Sequence, residues 1–187
     1  MGLFAERMLA INEAYRVLSD PQERRQYDAE GYSEGGYSDA SSFDSSDVSQ
    51  AEELMEAGKY AEALGVLRSA LRNEPESSEL NYMAAVCCYE LEHWSNALKY
   101  GIPAAKTDPT SAEKALLVGI AYMRLDQSGD AIPWLEKARD LNPYDPDAYG
   151  HLAPAYRSSG LHAAAWDCIG RVRRLDPNHP VLEEFEP

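Results

Sequence analysis

Basic side chains are scarce in this 187-residue chain, with 17 Lys and Arg against 32 Asp and Glu, a formal net charge of -15. No basic patch is available to neutralise phosphates, which argues against nucleic acid or an anionic membrane as a partner. The acidic excess reads as a solvated surface that keeps the protein soluble, or as a docking face for a basic partner. Long apolar runs are also missing, so the sequence predicts no transmembrane helix. The stretch from Met1 to Arg7 lacks the basic start and apolar core of a signal peptide, and Glu6 stands where an N-myristoylation signal takes Ser or Thr. Cysteine is sparse: Cys87 and Cys88 are neighbours, Cys168 is solitary, and no disulfide framework follows from that spacing. Small core filling suits the adjacent pair, and a reducing cytoplasm is the expected home. His93, His151, His162 and His179 have no metal-ligand spacing with each other or with a cysteine, and no glycine-rich phosphate loop occurs. The paired acids Glu52-Glu53 and Glu183-Glu184 read as solvated faces. A cofactor, a metal and catalysis are accordingly not expected.

What the chain does contain is a period. Pro75, Pro109, Pro143 and Pro177 stand 34 residues apart, as do Ala63, Ala97, Ala131 and Ala165. Ala70, Ala104, Ala138 and Val172 keep the same beat, and so do Leu54, Cys88, Tyr122 and Tyr156. Registers in phase over four periods predict an all-α stack of helix-turn-helix units over residues 47–177. Each unit reads as helix A, a tight turn, helix B and a proline that ends helix B. The turns are expected at Gly58-Lys59-Tyr60, Glu92-His93-Trp94, Ser128-Gly129-Asp130 and Gly160-Leu161-His162. The alanine registers mark places where the two helices cross too closely for more than a methyl group. Pro133 lies near a helix start and is tolerable; Pro103 and Pro154 fall inside predicted helices, where bends are expected. The acidic tail, 178–187, is too short for a full polar capping helix, so either it covers the last helix B or something outside the chain closes the array.

Residues 29–46 are rich in Gly, Ser and acidic side chains, lack Lys and Arg, and read as a flexible linker. Ahead of it, Phe4, Met8, Ile11, Tyr15 and Leu18 share one helical face, and Ser19-Asp20-Pro21 stops that helix and starts another.

Residues 47–177 resemble tetratricopeptide repeats, with the small residues and the proline in the family's places. Gly101 departs from that pattern where a large apolar residue is usual, and Glu92 and Asp126 where the turn glycine is usual. Residues 1–28 resemble the third and fourth helices of a J-domain, through Ile-Asn-Glu-Ala-Tyr-Arg-Val-Leu-Ser-Asp-Pro at 11–21 and Arg-Arg-Gln-Tyr-Asp at 24–28. The first two helices of that family and its His-Pro-Asp loop have no counterpart here. The exposed apolar face of 4–18 is expected to fray, to dock on the array, or to be completed by residues upstream, the last being favoured.

The tetratricopeptide resemblance implies a groove lined by the A helices. Its expected lining is Tyr82, Met83, Val86 and Tyr89, then Leu116, Ile120, Met123 and Arg124, then His151 and Arg157, with the two arginines pairing acidic groups of an extended peptide or amphipathic helix. Residues such as Val48, Glu52, Tyr82 and Glu113 occupy the places of the family's carboxylate clamp, so chaperone-tail binding by that clamp is not expected. The resulting expectation is a co-chaperone-type adaptor that holds protein clients in the groove and recruits Hsp70 only if a J-domain is completed upstream. The alternatives are a non-chaperone interaction scaffold with a vestigial J-like segment, and self-association.

Overall fold

The computed structural model describes residues 45–185, within one compact unit spanning Ser42–Pro187. The J-like segment 1–28 and linker residues 29–44 therefore lie outside the described residues. Ser45 and Ser46, assigned to the linker by composition, already belong to the first helix.

Four helical hairpins follow one another. Unit 1 pairs α1 (Ser45–Glu56) with α2 (Tyr60–Asn73), and unit 2 pairs α3 (Ser78–Glu90) with α4 (Trp94–Thr107). Unit 3 pairs α5 (Ala112–Arg124) with α6 (Ser128–Leu141), and unit 4 pairs α7 (Pro146–Ser158) with α8 (His162–Leu175). A short α9 (Val181–Glu184) ends the array. The described residues form a tetratricopeptide-type stack with no strand.

Periodic chemistry sets the helix boundaries. Ser77, Ser111 and Asp145 stand one period apart and cap α3, α5 and α7, each accepting from a backbone N–H of the first turn. At the other end of each A helix the chain turns through a left-handed residue: Gly58 (φ 72), Glu92 (φ 57), Asp126 (φ 58) and Gly160 (φ 77). The next N–H then reaches back to the carbonyl of Leu54, Cys88, Tyr122 or Tyr156, at 2.8, 2.8, 3.0 and 2.8 Å. Together with the bond one residue inside it, this is the paired closure of a Schellman turn. The third turn is therefore Leu125-Asp126-Gln127, and not Ser128-Gly129-Asp130 as composition suggested. Gly129 drew that reading, but the left-handed conformation falls on Asp126 and Gly129 sits in the first turn of α6.

The alanine registers are buried at the crossings, with Ala63, Ala97, Ala131 and Ala165 at most 1% exposed. Gly101 is buried too, because a Cβ there would stand 3.1 Å from Cγ2 of Val118 and 3.6 Å from the Ala85 methyl, so neighbouring side chains fill the usual large-residue slot. Neither Pro103 nor Pro154 ends its helix; α4 and α7 run on through them. The tail covers the last hairpin: Val181, Leu182 and Phe185 are buried in the same core as Ile169 and Val172 of α8.

Candidate functional site

Successive A helices touch one another, α3 with α5 and α5 with α7, whereas no comparable contact joins successive B helices among the described residues. The A helices thus lie on the inner side of the stack, and their inward positions define the candidate site. On α3 these are Tyr82, Val86 and Tyr89, and on α5 Leu116, Ile120 and Met123, all half-buried. Steps of four and three residues place each trio on one helical stripe, and the 34-residue period brings the two stripes side by side.

Unit 4 uses the same positions differently. Gly150, Pro154 and Arg157 occupy them, and the tail engages the glycine and the arginine. The His179 ring lies over Gly150, where a Cβ would come to 2.5 Å of its Cε1, and His179 Nε2 is 3.0 Å from Asp147 Oδ1. Arg157 donates to the Glu184 carbonyl at 3.3 Å, pairs with the Glu184 carboxylate at 3.8 Å, and stacks its guanidinium 4.0 Å from the Phe185 ring centre. Arg157 is thus answered by the chain's own tail.

Other residues named from sequence fall elsewhere. Met83 is only 5% exposed and belongs to the core of units 1 and 2, which corrects its placement in the groove. One residue beyond Tyr82 means a turn of about 100° around the helix, enough to face the neighbouring hairpin. His151 is likewise one step past Gly150. Burial pushes its pKa down, Arg124 and His179 push the same way, and Asp147 and Asp145 oppose. Arg124 lies outside the apolar stripe, 5.6 Å from the Trp94 ring, which itself meets Tyr89 edge-on at 5.3 Å.

Lys114 was not anticipated. It is 7% exposed, and its Nζ donates to Ser78 Oγ at 2.9 Å and to Asp108 Oδ2 at 3.0 Å, with Glu79 at 3.6 Å and the Tyr82 ring centre at 5.8 Å. The bond from Lys114, followed by one from Thr110, holds the Asp108 carboxyl below its ordinary range. A signal for Lys114 existed, since it occupies the slot that holds Leu80 and Ala148, both buried, in the adjacent units. Beside it, the Tyr82 hydroxyl is raised above its ordinary pKa, first by burial and then by the carboxylates of Glu113 and Glu79, one from its own helix and one from the next.

Cys87, Cys88 and Cys168 are buried, and burial pushes the Cys87 and Cys168 thiols up to about 11, far from a reactive thiolate. Among the described residues no group of three or more His, Cys, Asp or Glu is placed to hold a metal ion, and no helix is long and apolar enough to cross a membrane.

A family model described as "T7SS, ESX-1 secretion system protein EccA1, N-terminal domain" matches residues 23–184. Solved structures share the fold. MamA from Desulfovibrio magneticus RS-1 superposes with a TM-score of 0.64 at 22% identity, over 70% of this chain and 73% of that one. YrrB, described as "a TPR protein with an unusual peptide-binding site", gives a TM-score of 0.67 at 21% identity, over 71% of this chain and 69% of that one. Among curated proteins, Superkiller protein 3 of Saccharomyces cerevisiae is 27% identical over 70 residues, which is 37% of this chain and 5% of that protein.

Proposed function

This chain belongs to the family of N-terminal domains of EccA1, the ESX-1 type VII secretion system protein, and from that membership we propose a non-catalytic docking scaffold that holds a protein partner for a secretion apparatus. The observation that carries this reading is the paired stripe of Tyr82, Val86 and Tyr89 against Leu116, Ile120 and Met123. Six half-buried apolar side chains on two touching helices form a strip that an extended segment or an amphipathic helix can lie along. The peptide site in the description of YrrB is consistent with such use of the fold. Its site of action in this reading is the cytoplasm.

The co-chaperone reading is finer and rests on sequence alone. Hsp70 recruitment would fall to residues 1–28, outside the described residues, and to a His-Pro-Asp loop with no counterpart in this sequence. It keeps one motif in its favour, the match at 11–21 and 24–28. Stimulation of Hsp70 ATP hydrolysis by the natural protein would establish it.

The scaffold reading is tested with a displayed library of random peptides selected on the chain. Selected peptides should lose about tenfold or more in affinity on Tyr82→Ala with Ile120→Ala, and keep it on Lys106→Ala of a B helix. Binders indifferent to the double substitution would remove the groove from the account.

A further inference from the structure

We propose that the groove takes a basic partner segment, with Lys or Arg set among large aliphatic side chains. The proposal rests on the docking reading above and deepens it.

The first observation is how charge divides between the two layers. The four A helices carry eight acidic and three basic side chains, while the four B helices carry five acidic and nine basic. A chain that used its acidic excess only for solubility would have no reason to gather it on the inner layer. The second observation is that the three cations of the inner layer are already engaged. Lys114 is buried among Ser78, Asp108 and Glu79, Arg157 is held by Glu184 and Phe185, and Arg124 lies by the Trp94 ring. Of the two arginines expected to receive an acidic partner, Arg157 is therefore held within the chain, and Arg124 rests only against an aromatic ring.

Several carboxylates, in contrast, remain available, although Glu79 lies 3.6 Å from Lys114 and Asp147 lies 3.0 Å from His179. Glu79, Glu113 and Asp147 stand one period apart at the start of α3, α5 and α7, and Glu56 and Glu90 one period apart at the ends of α1 and α3; all five are exposed. Glu52, Glu56, Glu90 and Glu113 make no ion pair among the described residues. First-turn acids also suit a helix dipole, which accounts for one row; carboxylates at the last residue of α1 and α3 sit at the negative end, where the dipole disfavours them. The apolar strip thus has Glu79 and Glu113 at one edge and Glu90 at the other, where Arg124 takes the same position on α5. A lysine or arginine reaching these carboxylates forms an ion pair while its neighbours fill the strip, whereas an acidic segment would meet like charge at three of the four places.

The test uses three synthetic peptides of about 20 residues with one shared leucine pattern and Lys, Gln or Glu at the polar positions, their affinities read by fluorescence anisotropy. The Lys peptide should bind about tenfold or more tightly than the Glu peptide, with the gap closing at about 0.5 M salt. Glu79→Gln with Glu113→Gln should weaken the Lys peptide about tenfold and leave the Gln peptide unchanged. Lys114 keeps Asp108 in that variant, so no buried cation is stranded. Asp130→Asn with Asp167→Asn removes the same charge from exposed B-helix sites and should change affinity less than about twofold. Equal binding of the Lys and Gln peptides, still lost on Tyr82→Ala with Ile120→Ala, would overturn the basic partner and keep the groove. An equal effect of the B-helix pair would overturn it as unspecific attraction. Failure of all three peptides to bind would overturn the docking reading along with it.

Discussion

Units 2 and 3 offer at three inner positions what unit 4 withholds at the same three. Tyr82, Val86 and Tyr89, and one period on Leu116, Ile120 and Met123, present half-buried apolar side chains flanked by Glu79, Glu113 and Glu90. Gly150 and Arg157 meet the chain's own tail, through His179 over the glycine and Glu184 and Phe185 on the arginine, with Pro154 between them on the same helix. The same backbone slot thus stays open in the middle of the array and is closed by the tail at its end. The side chain decides which. A glycine admits an imidazole ring, and an arginine caps an aromatic ring, where a leucine or a methionine would leave a bare apolar stripe.

The largest effect belongs to Leu135, fully buried between units 3 and 4 against Gly119. Leu135→Ala should cost about 2–5 kcal/mol in urea unfolding, because the cavity lies where both halves meet. Next comes Gly150→Leu, which transfers the side chain of unit 3 into unit 4. Its Cβ alone would collide with His179, so a loss of about 1–3 kcal/mol is expected, with rapid amide exchange of 181–185 as the local sign. Unchanged protection there would mean that the tail is not held through this contact. Smaller again, Glu92→Gly and Asp126→Gly should each raise stability by about 1 kcal/mol, since only these two of the four turns place a Cβ in the left-handed region. Gly160→Ala in unit 4 should lower it by a similar amount.

The smallest effect is a pH dependence centred on unit 4. His151 has a folded pKa below its ordinary value, so the unfolded chain takes up a proton that the folded chain resists. Its contribution is complete above an unfolded pKa of about 6.5 and is lost as pH falls below that value, at no more than about 1.4 kcal/mol per pH unit. The urea midpoint should therefore fall between about pH 7 and 5.5, and fall less in His151→Gln. An identical slope in both proteins would assign the acid sensitivity elsewhere.

Much of this architecture was legible in the residues. A proline that cannot extend a helix marks the end of each B helix, and an alanine at a close crossing marks where two helices meet, so both repeat in the sequence. The turn of unit 3 was not legible, because Gly129 advertises a turn while Asp126 makes it, and the closing hydrogen bonds to Tyr122 are backbone bonds that any residue can form. Met83 was misplaced because the apolar pattern of α3 runs round most of the helix, leaving no periodic cue to which apolar residue faces inward. Lys114 went unread because a buried cation depends on partners 6 and 36 residues away in the chain.

Two helices per unit, the period, the crossing points and the acidic balance follow from the residues alone, since these depend on local conformational preference and on repetition. Which carboxylates stay unpaired and which cations find partners emerged with the folded stack. Ion pairing and burial are set by neighbours from other units, and no local preference encodes the distance from Arg157 to Glu184 or from Lys114 to Asp108.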